Sequence, residues 1–144
     1  MLAKKAAMKA KKAKRVVSAT FDRALIIKKP WVDLILNGAK IWEIRGAPTS
    51  CRGPVFLAAS GKKALVGRVT IVDCFEISHD ELPGFVTQHC IADCSLVRYA
   101  RVFAWVLEGA ERFEAPREYI HPRGAITWVR LPHVRLTPSD QQVC

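Results

Sequence analysis

The fold of this chain is decided by the segment LIIKKPWVDLILNGAKIWEIRG, Leu25 to Gly46. Its apolar start predicts a strand, and Pro30 then suits the first position of a helix, where its missing N–H costs nothing. Helical spacing places Trp31, Leu34 and Ile35 on one face, and the Asn-Gly pair at 37–38 predicts the C-terminal cap. The segment therefore predicts a strand, a short helix and a second strand.

The second strand, KIWEIR at residues 40–45, carries three charges in an otherwise apolar run. Because side chains alternate along a strand, Ile41, Glu43 and Arg45 share one face, and Trp42 and Ile44 share the other. Lys40 lies where the chain leaves the helix cap and enters the strand, so alternation does not fix its orientation. In most strands such charges form a solvated face, where an ion pair contributes about 0–1 kcal/mol. In a sheltered place they would line a polar cleft, and a lysine there would lose hydration and have a lowered pKa. The pattern alone leaves both interpretations open.

The rest of the chain predicts more strands and few helices. VFLAAS and ALVGRVTIVDCFEI read as strands joined by a GKK turn, and Gly67 inside the longer strand predicts a bulge or bend. SHDE at 78–81 has the pattern of a helix capping box, and short helices with loops are predicted after it. VFAWVLEGAERFE and GAITWVRL are the closing strands. About six strands and short helices predict a mainly-β α+β fold, a small closed barrel with helices at its side.

The formal net charge of +10 is concentrated at the start of the chain. Residues 1–19 are predicted to be a disordered basic tail, residues 20–135 one folded domain, and residues 136–144 a C-terminal tail. The tail predicts a nuclear-localisation signal (KKAKR) or an arm along phosphates, with a mitochondrial presequence or a solubilising tail as alternatives. Its cations, with no acid among them, are Lys4, Lys5, Lys9, Lys11, Lys12, Lys14 and Arg15.

The five cysteines are an odd number, and the sequence shows neither an apolar signal-peptide core nor a run of about 18 apolar residues. We therefore expect a reduced intracellular compartment, the nucleus first, with the cytoplasm or the mitochondrion as alternatives. His89, Cys90 and Cys94 lie close together but lack a CxxC pair, so buried free thiols are favoured over zinc. No metal and no cofactor is predicted.

The quoted segment resembles the opening of an ASCH domain, a branch of the PUA-like superfamily. The family signature G-x-K-x-x-E-x-R corresponds here to Gly38, Lys40, Glu43 and Arg45. RGPVFLAAS, LVGRVTIVDC, FAWVLEGAERFEAP and GAITWVRL resemble later segments of the family in the same order. The likeness covers about residues 24–131.

This resemblance implies a PUA-like β-barrel whose cleft lies between the barrel and the Pro-Trp helix and is lined by the signature charges. Family members are linked to RNA or to nucleobase-like ligands. Trp31 is read as helix packing or as a stacking surface, whereas Trp105 and Trp128 in apolar strands are assigned to the core. Together with the residue patterns, the predicted ligand contacts are Lys29, Trp31, Lys40, Glu43, Arg45, Ser60, Arg68 and Arg123.

The function expected first is a nucleic-acid-binding module that holds an unpaired or modified base of RNA or a single strand, with the basic tail on phosphates. Ribonucleoprotein or transcription-coactivator partners are possible, and no membrane is expected. The alternative is an amidohydrolase acting on N4-acetylcytidine or a similar acylated nucleoside, with Lys40 and Glu43 catalytic. The family members that resemble such amidohydrolases carry a hydroxyl residue close after the lysine, where this chain has Ile41 and Trp42. A structural ribonucleoprotein subunit is a further alternative.

Overall fold

The structure, a computed structural model, describes the backbone of residues 20–135 and the side chains of residues 22–131. The predicted tails therefore lie outside the described residues. Within this range the strands are β1 (Thr20–Ile27), β2 (Trp42–Arg45), β3 (Gly53–Ala59), β4 (Ala64–Ile77), β5 (Val102–Glu118) and β6 (Trp128–Arg135), and the helices are α1 (Trp31–Leu36), α2 (Val86–His89) and two 3-10 turns (Leu82–Phe85, Cys94–Leu96).

The strands form one sheet in the order β2-β5-β4-β3-β1-β6. β1 and β3 run parallel, and the other neighbouring strands run antiparallel. This confirms the predicted mainly-β fold of six strands with short helices. The sheet is a curled half-barrel instead of the closed barrel expected, with β2 and β6 as its edges among the described residues. Just before β2 the N–H of Ile41 donates to the carbonyl of Gln88, so helix α2 lies beside this edge of the sheet.

Helix α1 begins one residue later than predicted. Pro30 is its N-cap, because the Pro30 carbonyl accepts the first helical hydrogen bond, from Leu34 N–H at 3.1 Å. Asn37 is the C-cap, and Gly38 follows at φ +87, a left-handed conformation that favours glycine. The buried residues are Val32, Ile35 and Leu36, so the buried stripe is rotated from the expected Trp31–Leu34–Ile35 face, of which Trp31 and Leu34 are half-buried.

The two faces of the sheet bury separate apolar clusters. We call the face that packs against α1 the inner face, and the opposite one the outer face. Leu25 and Ile27 of β1 lie on the inner face, whereas Ala24 and Ile26 lie on the outer face, as strand alternation requires. The other inner-face residues include Val55, Leu57, Val69, Ile71, Phe103, Trp105 and Leu107.

Gly67 interrupts β4 where α1 crosses it. The β4–β5 register shifts between Leu65 and Gly67, which confirms the predicted bulge. A Cβ at this position would collide with the carbonyl oxygen of Glu111 and the side chain of Leu36. The glycine therefore lets the helix approach the sheet closely and fixes where α1 sits.

The loop between β4 and β5 begins with a turn in which Glu81 N–H donates to Ser78 Oγ at 3.1 Å and Ser78 Oγ donates to Glu81 Oε1 at 3.0 Å. These are side-chain bonds of the predicted capping box, but the helical segment begins only at Leu82, with Glu81 and not Ser78 as its N-cap. The described cysteines, Cys51, Cys74, Cys90 and Cys94, are free and half-buried. None of the helices between residues 20 and 135 is long and apolar enough to cross a bilayer.

Candidate nucleic-acid interface

Lys40 is directed into the protein by the end of α1. Its N–H donates to the carbonyl of Leu34 at 3.0 Å, which ties the residue back to the helix. Its side chain is buried, with the whole residue 2% exposed. The ammonium Nζ donates to the carbonyl of His89 at 2.7 Å, lies 3.7 Å from Glu43 Oε1, and is 5.0 Å from the centre of the Trp31 ring. The lysine is therefore enclosed by a carbonyl, a carboxylate and an aromatic face.

Burial lowers the pKa of the Lys40 ammonium below its ordinary value, and the Glu43 carboxylate offsets part of that shift. Of the two interpretations of this charged strand, the solvated face is therefore wrong for Lys40. A desolvated lysine beside a carboxylate is a feature that marks candidate functional sites, although structural ion pairs also produce it.

Glu43 joins Lys40 to Arg45. Its Oε2 accepts a hydrogen bond from Arg45 Nε at 3.0 Å and lies 2.9 Å from Arg45 Nη2. Nη2 also donates to the carbonyl of Ile26 at 2.8 Å, which anchors the guanidinium to β1. The predicted shared face of Glu43 and Arg45 is confirmed, because they pair with Trp105 and Phe103 of the inner face. We call Lys40, Glu43 and Arg45 the charged cluster.

A row of aromatic and cationic side chains continues from the charged cluster. The Arg45 guanidinium carbon lies 5.7 Å from the centre of the Trp105 ring. Trp105 and Trp128 stack with 5.9 Å between ring centres and 16° between planes. Arg23 lies over Trp128 at 5.6 Å. Trp105 is buried as predicted, but Trp128 is only half-buried, so it is an accessible part of the row and not purely core.

The structure places the other predicted contacts outside the charged cluster. Lys29 is exposed, and its ammonium lies 3.9 Å from Asp33 Oδ2, with which it forms an ion pair. Ser60 is exposed at the end of β3, where its N–H donates to the carbonyl of Ile27. Arg123 is exposed in the turn between β5 and β6.

Arg68 lies on the outer face, because it pairs with Phe56, a residue of the outer-face core. There it forms an ion pair with Glu111. Two acids of β4 also have partners away from the charged cluster: Asp73 is 3.9 Å from Arg52, and Glu76 pairs with Arg101. The charged cluster therefore contains a single carboxylate among the described residues.

Sequence reasoning missed three contributors to this face: Arg23, Trp128 and the carbonyl of His89. Arg23 and Trp128 lie on strands more than a hundred residues apart, so only the β1–β6 pairing brings them together. His89 acts through its backbone, for which a sequence pattern gives no signal.

His89 is expected to make stability pH-dependent. Both ring nitrogens are engaged, since Nε2 bonds the Leu82 carbonyl at 2.7 Å and Nδ1 accepts from Ile91 N–H at 2.9 Å. Neither nitrogen is free to bind zinc. Burial lowers the pKa of the His89 imidazole below its ordinary value. On acidification the unfolded chain therefore binds a proton at this imidazole before the folded chain does. The free energy of unfolding falls as pH drops below about 6.5 towards the folded pKa. Thermal unfolding measured across this pH range should show the loss of stability in the wild type and a smaller loss in His89→Gln. An equal dependence of stability on pH in the two proteins would contradict the prediction.

Comparison with known proteins shows the family to which the chain belongs. The model of the ASCH domain family matches residues 25–117, and the chain belongs to that family. This confirms the resemblance seen in the sequence, and with it the PUA-like fold. No curated protein matches the sequence.

Solved structures of similar fold include ASCH from Zymomonas mobilis, with a TM-score of 0.62 at 12% identity, covering 76% of this chain and 87% of that one. A Ser-to-Ala variant of the Zymomonas mobilis protein has a TM-score of 0.60 at 12% identity, covering 83% and 90%. A Tyr-to-Phe variant has the same TM-score and identity, covering 83% and 92%. At this identity the likeness shows the fold alone.

Proposed function

We propose that this chain is an ASCH-type module that binds RNA or another single-stranded nucleic acid and holds an unpaired or modified base beside Lys40, Glu43 and Arg45. The basic arm, residues 1–15, lies on phosphates of the same strand. The observation that carries the proposal is the charged cluster itself, a set of desolvated charges with one positive charge in excess, flanked by indole rings.

The charge balance of the cluster favours a ligand with electronegative oxygens. One carboxylate, Glu43, is shared by an ammonium and a guanidinium. Because sheltered charges are costly unless they are paired, a phosphate or base carbonyl oxygen would complete the cluster. The side chain of Arg45 is 18% exposed, against 1% for Lys40 and 8% for Glu43. Arg45 is therefore the member that contacts the ligand, and the other two hold it in position.

The indole rings supply the surface for a flat ligand. Trp31 and Trp128 are half-buried, and both lie against cations of the inner face. Stacking of a base on an aromatic side chain contributes about 1–3 kcal/mol, with little dependence on which base it is. A cation with accessible hydrogen-bond donors next to such rings suits a nucleobase, which has a flat face and a polar edge.

Arg45→Gln tests the proposal. In the full chain it should weaken binding of a short single-stranded RNA about 10-fold or more, because a hydrogen bond to a charged group contributes about 1.5–3 kcal/mol. Fluorescence anisotropy with labelled RNA measures this. The matched control is Arg117→Gln, which removes the same charge from the outer face, where Arg117 lies over Phe113. If Arg45→Gln binds like the wild type, the proposal fails and the structural-subunit alternative is favoured.

The arm is tested separately by removing residues 1–15. Its seven cations can neutralise at most seven phosphates. Removal should therefore flatten the slope of log K against log salt by at most about 5 for a single strand. If neither affinity nor slope changes, the arm makes no phosphate contact.

A second candidate function is hydrolysis of N4-acetylcytidine or a similar acylated nucleoside. The lowered pKa of Lys40 beside Glu43 favours it, since a neutral amine is a nucleophile or base and a carboxylate can move protons. The overall reaction adds one water across the amide and releases acetate and cytidine. Cytidine formation that is lost in Lys40→Met would support it, and no cytidine from the wild type would reject it for this substrate.

A further inference from the structure

The inner face carries a second concentration of positive charge, at the far end of the aromatic row. Arg23 on β1 and Arg130 on β6 are directly opposite each other in the strand pairing. Arg130 follows Trp128 by two residues, so both belong to the same face, while Val129 between them is buried in the outer-face core. The Arg23 guanidinium therefore lies over the half-buried Trp128, and Arg130 projects from the same face of the sheet.

Among the described side chains, Asp22 is the carboxylate paired with Arg23. Asp22 Oδ1 lies 3.2 Å from Arg23 Nε, and its side chain is 56% exposed. The hydrogen bond from Arg23 lowers the pKa of Asp22, and the charge of Arg130 adds a smaller effect in the same direction. Like charges directly opposite on neighbouring strands destabilise a sheet. This place on the inner face therefore has a surplus positive charge, which a bound anion would neutralise.

The position of Arg23 is fixed more firmly than that of an ordinary surface arginine. Its guanidinium lies over Trp128, which stacks in turn on the buried Trp105. The thiol of Cys51 is a further neighbour, and the charge of Arg23 acts to lower the pKa of that thiol against the larger effect of burial. A guanidinium backed by a ring loses less freedom when it binds, and its planar fork matches phosphate oxygens.

We propose that Arg23 and Arg130, with Trp128 as their support, form a phosphate subsite for a nucleotide further along the strand than the one held at Arg45. This rests on the proposed function and makes it more specific, because the complete ligand is then an oligonucleotide and not a free nucleoside. The distances between successive side chains of the row are each between 5.6 and 5.9 Å, from Arg45 through Trp105 and Trp128 to Arg23. Stacked nucleotides advance about 3.4 Å each along one strand, so the row extends beyond a single nucleotide.

The test compares two probes, uridine 5′-monophosphate and a four-nucleotide single-stranded RNA, on the full chain. Arg23→Gln and Arg130→Gln should each weaken binding of the tetranucleotide about 10-fold, and each should flatten its salt slope by about 0.7. Both should leave the mononucleotide affinity unchanged, whereas Arg45→Gln weakens both probes. Arg117→Gln is again the matched control. Arg130 is exposed, so Arg130→Gln is expected to fold even if Arg23→Gln does not.

Each outcome decides between the two sites. If both subsite variants bind the tetranucleotide like the wild type, or weaken both probes equally, the subsite is overturned. If Arg45→Gln binds both probes normally while the subsite variants lose the tetranucleotide, the base site fails and the phosphate subsite stands. A wild-type chain that binds neither probe overturns both.

Discussion

Glu43→Gln is expected to destabilise the chain by about 3–5 kcal/mol, because it leaves a buried ammonium without its counter-charge. The side chain of Lys40 is 1% exposed, so water cannot replace the lost carboxylate. Its remaining hydrogen bond, to the carbonyl of His89, carries no full charge. Urea unfolding of the two proteins measures the difference, which should appear as a lower midpoint with an unchanged slope.

The control is the double variant Lys40→Met/Glu43→Gln. Removing both members of a buried pair is often close to neutral, whereas removing one partner is not, so the second substitution should restore most of the lost stability. Lys40→Met alone should cost less than Glu43→Gln, because Glu43 keeps its bonds to Arg45. A loss below about 1 kcal/mol in Glu43→Gln would show that the pair behaves like a surface ion pair.

Gly67→Ala is expected to cost about 3 kcal/mol or more, the upper part of the range for overpacked cores. The added methyl would collide with a backbone oxygen, that of Glu111, and with the side chain of Leu36. Backbone cannot rotate away as a flexible side chain does, so either the β4–β5 bulge or α1 must move. Because Trp31 begins α1 and covers Lys40, the same change should also weaken RNA binding.

Gly84→Ala is the matched control for this prediction. A Cβ at Gly84 would meet nothing within 4 Å, and its backbone lies outside the left-handed region. The same chemical change should therefore alter its stability little. Thermal and urea unfolding of both variants provide the comparison, and equal stabilities would contradict the close packing of α1 on β4.

The parts of the fold that depend on local pattern could be predicted from the sequence. The apolar run of β4 was predicted with its observed bounds, because its ends are marked by turns and its interior by Gly67. Alternation placed Glu43 and Arg45 on one face. Both results follow from neighbours in the chain, where strand geometry has a fixed period of two.

The parts that depend on distant pairing could not be predicted. The sequence gives no sign that Arg23 lies beside Trp128, since that depends on the register of β1 against β6. Arg68 looked like a candidate contact because its position along β4 is central, but the bulge and the pairing with Phe56 put it on the outer face. The burial of Lys40 depends on helix α2, whose last residue, His89, lies 49 residues later in the chain and supplies the carbonyl.

In the proposed complex, the inner face beside Arg45 receives a base of a single strand. A crystal structure of the chain with a short single-stranded RNA tests it most directly. We expect a base or phosphate oxygen about 2.7–3.2 Å from the Arg45 guanidinium, with a base against Trp31. RNA bound on the outer face near Arg117, with Arg45 still bonded only to Glu43 and Ile26, would contradict it.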